Sequence, residues 1–224
     1  RLMGPSTPVA AAVYSGASRV TTADSRGLVH RWDLSKPEEK ELVCHLPSEF
    51  VCAALSADAT LLAHADHDGF VTVTELATGE PLFRRPNGAD RTVALAFSND
   101  RRLLAGTTDD GVVQLRDGKT GEVIHSTSTT PGQVQALALS PDGAELASAS
   151  FTNRIIRIDV ENKAEHRSIE KLAARVTDLA YSPDGKLLAA ACADGATRIF
   201  TVASGAQTHV LRDKPFPVWQ IQFD

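Results

Sequence analysis

No stretch of this 224-residue chain approaches the ~18 consecutive apolar residues of a membrane-spanning helix. The run Pro8–Val13 is too short for the hydrophobic part of a signal peptide. A membrane partner is therefore not expected. Cysteine is scarce: Cys44, Cys52 and Cys192 form an odd set without metal-type spacing, so they imply no disulfide framework. They read as small buried hydrophobes, and a cytoplasmic location is the expectation. There is no excess of positive charge, since 23 Lys and Arg face 28 Asp and Glu for a net charge of −5. A broad duplex-binding surface needs a basic stripe, so nucleic acid is not the expected partner. The pairs Arg84-Arg85 and Arg101-Arg102 read as solvated strand ends and turns.

Catalytic patterns are missing as well. There is no Gly-x-Ser-x-Gly elbow and no glycine-rich phosphate loop. The one dense group of ligand-type residues is His64-Ala65-Asp66-His67-Asp68-Gly69. Histidine with carboxylate suits a transition metal. Yet the group lies where Ala105–Gly111 and Ala189–Gly195 recur without histidine, and neighbouring residues of a strand point to opposite faces. It reads as a turn. Asp66 and Asp68 lack the further oxygen ligands and distal Glu of a calcium loop. No catalytic residue, metal or cofactor is expected. The polar run Ser126–Pro131 reads as a strand and its exit loop, with a phosphosite as the alternative.

What the chain does have is a period. Gly27, Gly69, Gly111, Asn153 and Gly195 follow one another at 42 residues. Ser56, Ser98, Ser140 and Ser182 keep the same step, with Ser15 at 41 before Ser56 and Asp224 at 42 after Ser182. So do Gly79, Gly121 and Gly205, with Lys163 in the vacant slot. Periods of 20–50 residues mark solenoids, propellers and arrays. Within each period, apolar runs of five to seven residues alternate with Pro/Asp/Gly turn chemistry, too short for helices. Each unit reads as four strands, for example 50–55, 61–65, 70–75 and 81–85. The fold class is all-β. In the first strand of each unit one face is bulky (Leu55, Phe97, Leu139, Tyr181) and the other small (Ala54, Ala96, Ala138, Ala180). That strand is expected to be the inner and most buried one.

Four short strands per unit, with an Asp-Gly turn ahead of a strand ending in Trp-Asp, resemble the WD-repeat β-propeller family. The matching segments are Gly27–Asp33, Asp68-Gly69 before Thr74-Glu75, Asp110-Gly111 before Arg116-Asp117, Asn153 before Ile158-Asp159, and Asp194-Gly195 before Phe200-Thr201, with Ser-Pro-Asp-Gly turns at 140–143 and 182–185. The likeness covers nearly the whole chain. Only one repeat carries the tryptophan, none has a Gly-His pair before its first strand, and none supplies all of the family's His, Ser/Thr, Asp and Trp tetrad. Packing is then expected to hold the repeats. The resemblance implies four-stranded antiparallel blades in one domain, residues 1–224. The repeats run approximately 8–48, 49–90, 91–132, 133–174 and 175–216, and 217–224 would be the first strand of a sixth. The chain starts on Arg1 and stops within that strand, so a segment of a larger ring of seven or eight blades is expected, with five-bladed closure as the alternative.

The family implies a non-enzymatic scaffold that binds a protein or peptide, or further blades or domains of its own parent chain. The alternatives are a propeller-class enzyme of lactonase or quinoprotein type, or a sensory or scaffold segment of a multidomain enzyme such as a kinase. In a propeller, the position before each inner strand lies at the channel mouth. Here these are Glu49, Arg91, Gln133, Arg175 and Pro217, polar and varied where the strands are apolar. Arg91, Gln133, Arg175, Asp178 and Trp219 are the candidate partner-binding residues.

Overall fold

The structure, a computed structural model, describes residues 8–14, 18–36, 38–46, 49–87, 91–128, 134–165, 168–212 and 216–223. All of its regular structure is strand, arranged in five four-stranded antiparallel sheets. Blade 1 comprises β1 (Val9–Tyr14), β2 (Arg19–Asp24), β3 (Leu28–Asp33) and β4 (Lys40–His45). Blade 2 comprises β5 (Cys52–Leu55), β6 (Leu61–Ala65), β7 (Phe70–Glu75) and β8 (Pro81–Pro86). Blade 3 holds β9 (Thr92–Phe97), β10 (Leu103–Thr108), β11 (Val112–Asp117) and β12 (Val123–Ser128). Blade 4 holds β13 (Val134–Leu139), β14 (Glu145–Ser150), β15 (Ile155–Asp159) and the short β16 (Ala164–Glu165). Blade 5 is β17 (Val176–Tyr181), β18 (Leu187–Cys192), β19 (Ala196–Thr201) and β20 (Gln207–Arg212). The strands pair in chain order within each blade, and the first strands pack β1 on β5, β5 on β9, β9 on β13 and β13 on β17. This is a five-bladed β-propeller arrangement with the first strands innermost.

The periodic residues are turn formers. Gly27, Gly69, Gly111 and Gly195 hold φ between 78° and 89°, and Asn153 takes φ 54° in the same slot. Lys163, standing where glycines 79, 121 and 205 recur, is itself left-handed at φ 55°. The serines act differently. Ser56, Ser98, Ser140 and Ser182 are buried, and each donates its hydroxyl to an aspartate two residues on, at 2.6–2.7 Å. Each also accepts the amide of the residue that opens the second strand, at 2.9–3.0 Å. One side chain thus closes the hairpin between the first two strands of a blade. Ser182→Ala would strand the Leu187 amide and is expected to cost about 1–2 kcal/mol, readable as a lower urea midpoint. An unshifted midpoint would show that the hydroxyl is dispensable.

Burial corrects one expectation. The most buried strand of a blade is the second, not the first: every residue of β6 and of β14 is buried, whereas β5 is only half-buried throughout. A second strand has ladders on both edges and blades against both faces. A first strand has one ladder, and its other side turns to a central cavity of about 420 Å³ lined by β1, β5, β9, β17 and Gln220–Gln222.

The segment expected to begin a sixth blade forms no strand among the described residues 216–223. It nonetheless occupies the place of one. The carbonyl of Thr92, first residue of β9, accepts from Cys52 Sγ of the preceding blade at 3.7 Å. Val218, three periods later, accepts in the same way from Thr177 Oγ1, and its amide donates to the Cys192 carbonyl at 3.2 Å. Ser15 and Asp224, which extend the serine period in sequence, lie outside the described residues.

Each of the four seams between blades holds an apolar cluster. Ala23, Val29 and Leu46 meet Leu62 and Leu76 between blades 1 and 2. Val73 and Phe83 meet Leu104 in the next seam. Val113 and Leu115 meet Ile156 and Ile158 in the third. Ile155 and Ile169 meet Leu188 and Phe200 in the fourth.

Candidate interaction surface

The connections between blades and the turns between second and third strands share one end of the propeller. Arg91 and Arg175 stand there, each exposed just before β9 and β17. Their carbonyls are pinned by the amides of Asp109 and Ala193 at 3.0 Å, so the backbone that carries them is fixed while the side chains project. Arg175 lies over the ring of Phe151, 5.5 Å from its centroid. Phe151 belongs to the β14–β15 turn and is 47% exposed. Trp219 follows Val218 and is 66% exposed, with Phe216 at 69% nearby in sequence. Gln133 falls outside the described residues.

Asp178 lines the central cavity. It is half-buried, and its carboxylate accepts the amides of Leu179 and Ile221, both at 2.9 Å. Burial raises this carboxyl above its ordinary value, against the pull of those two amides. The bond to Ile221 explains why a carboxylate stands in the small-residue column, because it ties the 216–223 segment to β17.

The histidine group has protein partners. His64 is 5% exposed and stacks on Phe50 at 4.4 Å. Burial lowers its pKa to about 4, so the ring is neutral at neutral pH. Asp66 accepts the amides of Asp68 and Phe70 at 3.0 and 2.9 Å and pairs with Arg84 at 2.8 Å, closing the turn. Among the described residues no three His, Cys, Asp or Glu gather as metal ligands. Burial pushes all three cysteine thiols up. Blade 1 retains one bond of the tetrad, Trp32 Nε1 donating to Thr22 Oγ1 at 2.9 Å.

One polar cluster was not anticipated from the sequence. Arg157, 1% exposed, donates to both oxygens of Glu145 at 2.7 and 2.6 Å and to the Val202 carbonyl at 2.6 Å. Tyr181 from blade 5 donates its hydroxyl to the same carboxylate. Burial and the neighbouring Glu145 charge keep that phenol protonated. The signal was in the columns: the equivalents of Glu145 are Leu61, Leu103 and Leu187, and those of Arg157 are Val73, Leu115 and Ile199.

Comparison with known families gives a match to part of the chain. Residues 167–223 match the model of the anaphase-promoting complex subunit 4 WD40 domain, about a quarter of the chain, spanning blade 5 and the segment after it. No curated protein matches the chain.

Proposed function

From the premise that this chain is a WD-repeat β-propeller, we propose that it is a non-enzymatic platform for a protein or peptide, engaged through the end that carries Arg91, Arg175, Phe151 and Trp219. The observation that carries this reading is the exposed Phe151 ring beneath Arg175 at the start of β17, with Trp219 exposed in the segment after blade 5. Aromatic residues and arginine dominate binding energy at protein interfaces, and contiguous exposed apolar surface marks an interaction site. The name of the family matched by the last quarter of the chain, a subunit of a complex, supports the same reading.

Proteins captured on wild-type chain and on R175A/W219A should be compared quantitatively, then rebound as purified components. Lys186→Ala, exposed in the β17–β18 turn at the other end, serves as the control. Loss of about 2 kcal/mol or more of binding in R175A/W219A, with K186A unchanged, is expected. Equal recovery on all three would defeat the proposal.

A further inference from the structure

The four seams are filled very differently. The third strand turns two side chains toward the preceding blade. In blade 3 these are Gln114 and Arg116, in blade 4 Ile156 and Ile158, and in blade 5 Arg198 and Phe200. Arg116 closes its seam by donating to the carbonyls of Pro86 and Gly121 and to Asn87 Oδ1. In blade 2 the same two positions hold Thr72 and Thr74. The side chains are short, and a cavity of about 460 Å³ remains between blades 1 and 2.

We propose that this cleft is a binding site for a small organic cation, an apolar ring-sized body bearing a protonated amine. The volume lies within the range of ligand pockets, which are mostly apolar with a few placed polar groups. The walls fit that description: Leu46, Pro81, and the buried Thr72, Thr74 and His64. The charges lie at the upper end. Arg84 is taken up by Asp66 at 2.8 Å and rests 3.7 Å from the Phe70 ring centroid, so that pair contributes no net charge. Glu49 and Asp68 remain on the lining, both exposed, and neither has an ion-pair partner among the described residues. His64 is neutral and cannot offset them. On the lining, whose remaining titratable group is His67, three carboxylates face one arginine, a balance that favours a cation and disfavours an anion. The amine has two sources, a free small molecule or a lysine side chain of another polypeptide.

The test uses the whole chain and three probes of one shape: 2-phenylethylamine, 2-phenylethanol and 3-phenylpropanoate. A capped Phe-Lys dipeptide is the fourth arm. Titration calorimetry and ligand-observed NMR should show the amine bound about fivefold or more tighter than the alcohol, the scale of one exposed ion pair, with the carboxylate weakest. Tighter binding by the dipeptide than by the free amine assigns the cation to a polypeptide side chain, and the reverse assigns it to a small molecule. T74I, which copies Ile158 of blade 4, should abolish binding. E49Q/D68N alters only exposed side chains, so folding is not at issue, and it should erase the preference for amine over alcohol. Absence of amine binding to the wild-type chain, equal binding of the three probes, or a preference intact in E49Q/D68N would overturn the assignment. Neither variant touches Arg175 or Trp219, so failure here leaves the partner surface unaffected.

Discussion

Replacing Glu145 by leucine is expected to cost about 3–5 kcal/mol of stability, the scale for removing one member of a buried ion pair. The Arg157 guanidinium would then stay buried at 1% exposure, keeping the Val202 carbonyl as an acceptor, and the Tyr181 hydroxyl would lose the carboxylate it donates to. Restoring the apolar pattern of the sister blades should reverse the loss. Leu103 and Leu115 of blade 3 occupy the equivalents of Glu145 and Arg157, and Phe97 that of Tyr181. The triple variant E145L/R157L/Y181F should therefore return to within about 1–2 kcal/mol of the wild type, or exceed it, since well-packed apolar replacements of buried ion pairs are often neutral or stabilising. Urea unfolding of the single and triple variants reads both numbers. A single substitution costing under about 1 kcal/mol, or a triple variant as unstable as the single, would mean that the seam is held by something other than charge pairing.

Acid should weaken the fold in two separate steps. His64 titrates at about 4 in the folded chain against an ordinary 6.5, with burial as the main cause. Between those values the unfolded chain binds a proton that the native ring refuses, so stability is fully present above pH 6.5 and falls as pH drops toward 4. A shift of this size corresponds to about 3 kcal/mol. His30 is lowered in the same direction, chiefly by burial, and adds a smaller slope of the same sign. The aspartates act later. The hydrogen-bonded Arg198 holds Asp194 down to about 2 from 3.8, so its contribution is present above 3.8 and lost only as pH falls toward 2. Urea titrations from pH 7.5 to 4 should show the first loss in the wild type and most of it absent in H64Q. Parallel curves for the two proteins would show that His64 is not the group responsible.

The architecture was legible because turns repeat their chemistry. A left-handed slot selects glycine or asparagine, and a hairpin closed by one buried hydroxyl selects serine, so both recur at fixed spacing wherever the backbone recurs. Cys192 was likewise readable as a structural slot, standing where Thr108 and Ser150 stand before it. Individual roles were harder. Asp178 breaks a column of small side chains, and in the structure it both lines the central cavity and clamps the Ile221 amide. A bulky face alone does not make the first strand the most buried, because the second strand has ladders on both edges. The Glu145–Arg157 pair breaks two apolar columns at once, and only the assembled seam brings the two breaks into contact with Tyr181. The cleft beside Thr74 is a deficit of volume, which turn chemistry does not register.

Each pair of neighbouring blades is cemented by side chains, while backbone ladders stay inside a blade. Joints of that kind can be recut one at a time: an ionic knot at one, aliphatics at another, an arginine bolt at a third, a vacancy at the fourth. Damage or innovation at one joint then propagates no further than the blades it joins, so chemistry can be added to this ring without renegotiating its frame.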